Sequence, residues 1–312
     1  MKKLLFTLLM TLSGVCFAQN QIRMVVPFTA GGGTDVITRI VAQHLSEAWK
    51  VPVIVENRVG AGGVVGSKWV ADQAPDGRTF LAVASAFGVR AAIDRTVPYD
   101  VAKDFTGVCQ MARSPSFLVV SPERGFKNLQ DLVAWAKKQP QSIQYASAGV
   151  GSTAHLHAAA VAHLAGLKAD HIPYRGTPEA VNDAMNGRVV YAFAPGPNAI
   201  PLAKSGKLQI LATTSPAGKS FYPAAQTLTE QGVPYEGDDW FGVYAPAKTP
   251  LEVRAKLATE IQRILQLPDV KERLATFGAE PAYIGPEEWE AFSAKYIAFA
   301  RKLGDEVGIK PQ

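Results

Sequence analysis

The amino-acid sequence predicts an α/β fold of two lobes, each built on a mostly parallel sheet with helices on both faces. Short runs of β-branched residues alternate with helical stretches, which is typical of βαβ units. Two similar segments in different halves of the chain each give a strand, a glycine-rich turn and a helix. The C-terminal part gives one strand and three amphipathic helices, whose apolar faces need a sheet to cover.

The first series of elements belongs to one lobe. A strand, a helix and a second strand follow one another directly, so neighbouring strands are expected to pair in parallel through a helical crossover. The pattern predicts strands at 22–26, 53–55 and 80–84, with helices near 34–49 and 65–73.

The second series begins near residue 120 and belongs to the other lobe. Three of its helices end directly before Gly166, Gly187 or Gly206, and glycine in that position is typical of a left-handed C-cap. Thr177 and Pro178 suit the N-cap and the first turn of another helix. The pattern predicts helices at 129–138, 152–165, 178–186 and 197–205, and strands at 143–146, 169–173, 189–193 and 208–213.

The remainder of the chain predicts a strand at 240–245 and helices at 251–266, 269–277 and 286–303, which are expected to pack back on the first sheet. The chain then crosses between the lobes twice, near 119–121 and near 238–240. This predicts one lobe from 19–120 plus 239–312 and a second from 121–238. Ligands of open α/β sheets bind at the carboxyl ends of strands, so we expect a ligand cleft between the lobes.

The N-terminus has the features of a secretory signal peptide over residues 1–18. Lys2 and Lys3 precede an apolar stretch too short to span a bilayer, and Cys16 and Ala18 place small residues before a cleavage site at Gln19. Cys16 raises a lipoprotein alternative, which Val15 before it disfavours. We therefore expect an exported, periplasmic protein.

The rest of the composition limits the class of protein. Cys109 is the single cysteine after the signal peptide, so no internal disulfide is expected. The formal net charge is +5, and the basic residues are scattered rather than clustered. This pattern argues against nucleic-acid binding. We expect a monomer.

The two glycine-rich turns are the candidate binding site. Such a turn directs unpaired N–H groups and the positive end of a helix dipole at one point, where an anion can bind. Two of them suggest an anionic ligand held between the lobes. The candidate residues are Phe28, Thr29, Ala30, Gly31, Gly32, Gly33 and Asp35 in the first turn, and Ser147, Ala148, Gly151, Ser152, Thr153 and His155 in the second.

Several of these residues also have a simpler structural interpretation. Ser152 and Thr153 suit helix capping as well as anion binding, and capping is favoured. Asp35 suits local pairing with backbone at the first helical turn better than contact with a ligand amino group. His155 is expected to position its loop.

Other chemistries are disfavoured. Neither turn has the lysine of a nucleotide-binding P-loop or the spacing of a dinucleotide site. The segment 149–152 does not have the G-x-S-x-G spacing of a serine nucleophile elbow. His155 and His157 point to opposite sides of a helix, and His163 lies two turns from His155, so no metal site is expected. We expect no cofactor and no catalysis.

The order of several short motifs resembles the Bug receptor family, the periplasmic substrate-binding proteins of tripartite tricarboxylate transporters. This resemblance covers essentially the whole chain after the signal peptide. The motifs are Pro27-Phe28-x-x-Gly31-Gly32-x-x-Asp35, Val55-Glu56-Asn57-Arg58, Gly60-Ala61-Gly62-Gly63, Pro75-Asp76-Gly77, Tyr99-Asp100, the segment from Tyr145 to Leu156, Pro173-Tyr174-Arg175-Gly176 and Trp240-x-Gly242.

The resemblance implies a two-lobed periplasmic-binding-protein fold, type II-like, whose two turns close on a carboxylate, partly through ordered waters. The segment 86–98 lacks the Asn-Pro pair often seen there in the family and instead contains Phe87 and Arg90. The segment around Asn198 also departs from the family pattern. These residues and Arg175 complete the candidate ligand-binding set. Arg90 and Arg175 suit a second ligand carboxylate, or a solvated or structural role.

The expected function is an extracytoplasmic solute-binding protein that captures a small organic carboxylate and delivers it to membrane transporter subunits. A periplasmic sensor subunit that acts on a sensor kinase is the alternative. An enzyme of carboxylate metabolism is a third class, which the motifs disfavour.

Overall fold

The computed structural model describes residues 21–309, so the predicted signal peptide 1–18 and its cleavage before Gln19 lie outside the described residues. In that part of the chain, no helix is both long and apolar enough to span a bilayer. The elements are β1 (Ile22–Val26), α1 (Gly33–Trp49), β2 (Val53–Asn57), α2 (Val64–Ala71), β3 (Thr79–Ala84), α3 (Ala86–Ile93), α4 (Val101–Asp104), β4 (Phe105–Ser114), β5 (Ser116–Val120), α5 (Leu129–Ala136), β6 (Ile143–Ser147), α6 (Thr153–Leu164), β7 (Ala169–Pro173), α7 (Thr177–Met185), β8 (Tyr191–Pro195), α8 (Gly196–Lys204), β9 (Gln209–Thr213), α9 (Gly218–Phe221), β10 (Asp239–Pro246), α10 (Leu251–Ile264), α11 (Pro268–Thr276), β11 (Glu280–Ile284) and α12 (Pro286–Glu306).

The strands form two sheets, and the predicted two-sheet α/β fold is confirmed. The first sheet has the order β11-β4-β10-β3-β1-β2, and the second has the order β7-β6-β8-β5-β9. The pairs β1–β2, β1–β3, β6–β7 and β6–β8 are parallel, as the βαβ pattern predicted. The other pairs are antiparallel, so each sheet is mixed rather than mostly parallel.

The chain changes sheet earlier than the sequence indicated. Strand β5 pairs with β8 and β9 of the second sheet, so the first crossing lies between Ser114 and Ser116 rather than near 119–121. The second crossing, before Asp239, lies within the predicted stretch 238–240, because β10 begins there in the first sheet. We call the part of the chain around the first sheet the first lobe and the part around the second sheet the second lobe.

Helix α12 packs against both lobes. Near its start, Trp289 is fully buried beside Gly242 of β10, and Tyr244 donates a hydrogen bond from its hydroxyl to Ser293 Oγ at 2.6 Å. Near its end, Ala300 and Leu303 belong to an apolar cluster that joins Val89 and Ile93 of α3 to the core of the second lobe. The expectation that the last helix covers the first sheet therefore holds for its first half, whereas its second half joins the two lobes.

Candidate functional site

The first glycine turn precedes helix α1 and leaves the helix N-terminus open. Gly32 is the N-cap residue and has no side-chain cap. Gly31 has φ 81°, a conformation that favours glycine, and its N–H group donates to Asp35 Oδ2 at 2.9 Å. Residues 29–33 are exposed. The first N–H groups of α1 therefore have no partner within the helix and can face an anion.

Asp35 stabilises this turn through hydrogen bonds to its carboxylate. Its carboxylate is 2 % exposed and accepts hydrogen bonds from Gly31 N–H, from Arg39 Nε at 3.0 Å and from Asn57 Nδ2 at 2.8 Å. Burial raises the pKa of Asp35, but these hydrogen bonds more than offset burial, so the pKa lies below its ordinary value. The local role that the sequence favoured for Asp35 matches this geometry.

Phe28 links the first turn to the neighbouring glycine turn at 60–63. Its carbonyl accepts a hydrogen bond from Asn57 Nδ2 at 3.0 Å. A Cβ atom added at Gly63 would lie 3.1 Å from Cε1 of the Phe28 ring. Because Asn57 bonds both Phe28 and Asp35, one amide holds both ends of the first turn.

The second glycine turn precedes helix α6 and is partly capped by its own side chains. Ser152 is the N-cap residue, and its Oγ accepts a hydrogen bond from His155 N–H at 3.2 Å, as the capping interpretation predicted. Gly151 has φ 76°, and its N–H donates to His155 Nδ1 at 3.3 Å. The N–H groups of the first α6 residues, Thr153 and Ala154, have no partner within the helix.

A stack of two imidazole rings supports the second turn. The rings of His155 and His171 lie 3.7 Å apart at 12°. Burial and the charge of the neighbouring His171 lower the pKa of His155 to about 3, and burial lowers the pKa of His171 to about 4, so both are neutral at pH 7. His155 thus positions the turn.

Ser147 and His171 lie close enough for a nucleophile and base, at 2.6 Å between Oγ and Nε2. However, Ser147 is 0 % exposed, and its Oγ also accepts from Gly149 N–H at 3.1 Å. A substrate could not reach this hydroxyl, so the pair is a structural hydrogen bond that shapes the turn. Within residues 21–309, no group of three His, Cys, Asp or Glu side chains could hold a metal ion.

A chain of hydrogen bonds joins the two lobes beside the second turn. Ser85, at the end of β3, lies 2.8 Å from Thr153 through their hydroxyl oxygens and donates to Asp239 Oδ1 at 2.6 Å. Ser116 donates to the other oxygen of Asp239 at 2.9 Å. Asp239 therefore lies at both crossings of the chain. The sequence analysis missed Ser85 and Ser116, although the paired acids 238–239 before Trp240 were a signal for this region.

Arg90 of α3 lies between the glycine turns of the two lobes. A Cβ atom added at Gly151 would lie 4.0 Å from Arg90 Nε, and one added at Gly62 would collide with Arg90 Nη2. Arg90 Nη1 donates to Asp94 Oδ2 at 3.0 Å, and its side chain is 22 % exposed. The guanidinium is thus held by one carboxylate and retains donors that can reach a ligand.

The structure separates Phe87 and Asn198 from this group and leaves Arg175 beside the second turn. Phe87 is 3 % exposed and stacks on Tyr99, so its ring belongs to the core of the first lobe rather than to the cleft surface. Arg175 is exposed. It lies beside the second turn, because the carbonyl oxygen of the preceding residue, Tyr174, would be 3.3 Å from a Cβ atom added at Gly149. Asn198 lines a different groove, with Pro178, Asn182 and Leu202.

Two α/β lobes, with the side chain of Arg90 lying near glycine turns of both, form the fold of a periplasmic binding protein. The structure superposes on that of the periplasmic binding protein BugD with a TM-score of 0.81 and 29% identity, covering 94% of this chain and 99% of BugD. Residues 37–309 match the family model of the tripartite tricarboxylate transporter family receptor. The chain belongs to this family, as its motifs predicted, and is a binding protein rather than an enzyme.

Relatives of known sequence and structure extend this similarity. Protein BugT of Bordetella pertussis is 33% identical over 297 residues, which cover 94% of this chain and 91% of BugT. Rpa4515 of R. palustris, solved with adipate, is 32% identical with a TM-score of 0.84, covering 94% of this chain and 99% of that one. MatC from Rhodopseudomonas palustris, with bound malate, is 26% identical with a TM-score of 0.78, covering 92% and 99%.

Proposed function

We propose that this receptor captures a small organic dicarboxylate between its two glycine turns and delivers it to the membrane subunits of a tripartite tricarboxylate transporter. The observation that carries this proposal is the position of Arg90, a cation of the first lobe. It lies beside Gly62, and its Nε is 4.0 Å from the position that a Cβ atom would take at Gly151 of the second lobe. A cation near glycine turns of both lobes, together with two open helix N-termini, would favour a ligand with more than one negative group.

One carboxylate would lie between residues 29–35 and 148–153, held mainly by backbone N–H groups. Each helix N-terminus contributes about 0.3–1 kcal/mol, and up to ~2 kcal/mol when the anion is partly buried. Charged hydrogen bonds add about 1.5–3 kcal/mol each. A few such contacts reach about −8 kcal/mol, which corresponds to micromolar affinity.

Arg90 would hold the second carboxylate of the ligand. The relatives Rpa4515 and MatC were solved with adipate and malate, and both ligands are dicarboxylates. Among the described residues, the Arg90 side chain donates to Asp94 alone, so its remaining N–H groups are available to a ligand. Arg175, exposed near the second turn, is the other cation placed to select among carboxylates.

Binding would couple to lobe closure. Ligand contacts from both turns exist together only when the lobes are close, so a ligand shifts the population toward the closed form. The hinge would lie at the two crossings, between Ser114 and Ser116 and before Asp239. The hydrogen bond between Ser85 and Thr153 would form part of the closed contact.

The mature protein would begin at Gln19 after removal of residues 1–18 and act as a monomer in the periplasm. The cleavage site and the location rest on the N-terminal sequence pattern. The intact mass of the protein released by osmotic shock tests the cleavage site, and membrane retention that depends on Cys16 would contradict it.

Calorimetry with three matched ligands tests the proposed ligand class. Adipate has two carboxylates, hexanoate has one, and adipamide has none at similar length. The expected order of affinity is adipate, then hexanoate, then adipamide. Equal affinity for adipate and adipamide would exclude a carboxylate site between the turns.

A further inference from the structure

A cavity of about 740 Å³ lies where α6 and residues 235–238 meet β11 and α12. We call it the hinge cavity, because Trp240 and Asp238 in its wall flank Asp239 at the second crossing. Its wall shares no residue with the candidate site described above. Small-molecule sites in proteins typically enclose about 300–1,000 Å³, so the hinge cavity has the size of such a site.

Aromatic rings form much of the wall. Tyr235 and Trp240 are nearly fully buried, and Tyr283, Phe292 and Tyr296 are partly exposed. Phe299 is 44 % exposed, although it is a large apolar side chain on a helix that packs against both lobes. Aromatic walls favour planar aromatic ligands, because stacked and edge-to-face ring pairs add to the free energy of burial.

Three buried polar atoms belong to wall residues and have no hydrogen-bond partner within residues 21–309. They are Oε1 of Gln110, Nε2 of His157 and Nε1 of Trp240. Gln110 uses its Nε2 to bond the Ala282 carbonyl at 2.9 Å, and His157 uses its Nδ1 to bond the Tyr235 hydroxyl at 2.7 Å. Buried polar atoms without partners are costly. Gln110 Oε1 needs a donor and Trp240 Nε1–H needs an acceptor, so a ligand hydroxyl, which can do both, would stabilise this wall.

The charges around the hinge cavity are balanced. Arg113 and Lys295 are opposed by Glu236 and Asp238. Arg113 is already paired with Glu280 at 2.6 Å and lies 4.0 Å from Asp238. Burial raises the pKa of Asp238. Unlike the glycine turns, this wall offers no excess of donors or positive charge to an anion, so a neutral ligand fits it better.

We propose that the hinge cavity is a second ligand site, which binds an uncharged aromatic compound that carries a hydrogen-bonding group. The ring would lie among Tyr235, Trp240, Tyr283 and Phe299, and the polar group would bond Gln110 or His157. This site is independent of the carboxylate cleft in residues and in ligand chemistry.

Calorimetry with 2-naphthol on the full mature chain tests this proposal. Ala282→Trp, in the wall, should weaken 2-naphthol binding at least about tenfold, because the added indole fills the cavity. Ala298→Trp is the matched control, since this exposed alanine lies on α12 but outside the wall, and it should leave binding unchanged. Circular dichroism establishes that both variants fold, and Phe299→Ala replaces Ala282→Trp if the latter does not.

Two further measurements distinguish binding in the hinge cavity from binding elsewhere on the protein. Gly32→Trp obstructs the glycine-turn cleft and should leave 2-naphthol binding intact. Naphthalene, which lacks the hydroxyl, should bind more weakly than 2-naphthol. The proposal is overturned if 2-naphthol does not bind, if Gly32→Trp abolishes its binding, or if Ala282→Trp and Ala298→Trp have equal effects.

Discussion

Replacing Arg90 by glutamine should convert a receptor that prefers dicarboxylates into one that no longer distinguishes them from monocarboxylates. The side chain is 22 % exposed between Gly62 and Gly151, and within residues 21–309 its one ion pair is with Asp94. Glutamine keeps hydrogen-bonding capacity but removes the charge. The proposed bond from Arg90 to the second carboxylate would therefore be lost selectively.

The magnitude follows from this geometry. A hydrogen bond to a charged group contributes about 1.5–3 kcal/mol, so adipate affinity should fall about 10- to 150-fold. Hexanoate lacks the second carboxylate, and its affinity should change by less than about threefold. The fold should persist, because Asp94 keeps hydrogen bonds from Thr96 N–H at 2.9 Å and Thr96 Oγ1 at 2.7 Å.

Calorimetry with adipate and hexanoate on the wild type and Arg90→Gln measures this selectivity. Arg95→Gln is the matched control, because Arg95 is an exposed arginine just after α3 that lines a different cavity. Its affinities should equal those of the wild type. Equal losses for adipate and hexanoate would place Arg90 at the first carboxylate, and no loss for either would remove Arg90 from the site.

Three further predictions concern the turns, the pH dependence and the hinge. Gly32→Trp should weaken adipate binding at least about a hundredfold, because the side chain fills the anion site in front of α1, and unchanged affinity in calorimetry would contradict the site. The folded-state pKa of His155, lowered to about 3, lies below its unfolded value near 6.5, so its contribution to stability is complete above pH 6.5 and declines as the pH falls toward 3. Urea titrations should show a loss of about 2 kcal/mol from this residue between pH 7 and 5, and His155→Gln, which keeps a hydrogen-bond acceptor for Gly151, should reduce that loss. An equal pH slope in both proteins would show that His155 titrates normally. Small-angle X-ray scattering should show a smaller radius of gyration with saturating adipate, and an unchanged radius would count against closure.

Local sequence features determined much of the fold. The strand, glycine turn and helix units at 22–49 and 143–164 lie where the sequence placed them, because alternation, capping and positive φ depend on residues close together in the chain. Ser152 caps α6, and Gly166, Gly187 and Gly206 all have positive φ after helices, as predicted. The family also followed from sequence, since the order of its motifs spans the chain.

Strands β4, β5 and β11 were not predicted from the sequence, for physical reasons. β5 is buried along its whole length between two antiparallel neighbours, so its residues show no alternation of polar and apolar positions. β4 lies between two antiparallel neighbours, and almost all its residues are buried, so it lacks an alternation of polar and apolar positions. β11 is an edge strand that contains Pro281, a residue that argues against a strand in a sequence pattern.

The relation between the lobes was decided by tertiary structure. Sequence identified the two turns, but only the fold places Arg90 between Gly62 and Gly151, joins Ser85 to Thr153, and buries Phe87 away from the cleft. The hinge cavity likewise combines side chains from both lobes. Local propensities set each turn and helix, whereas long-range packing and burial set which distant side chains meet, and that information is not periodic along the chain.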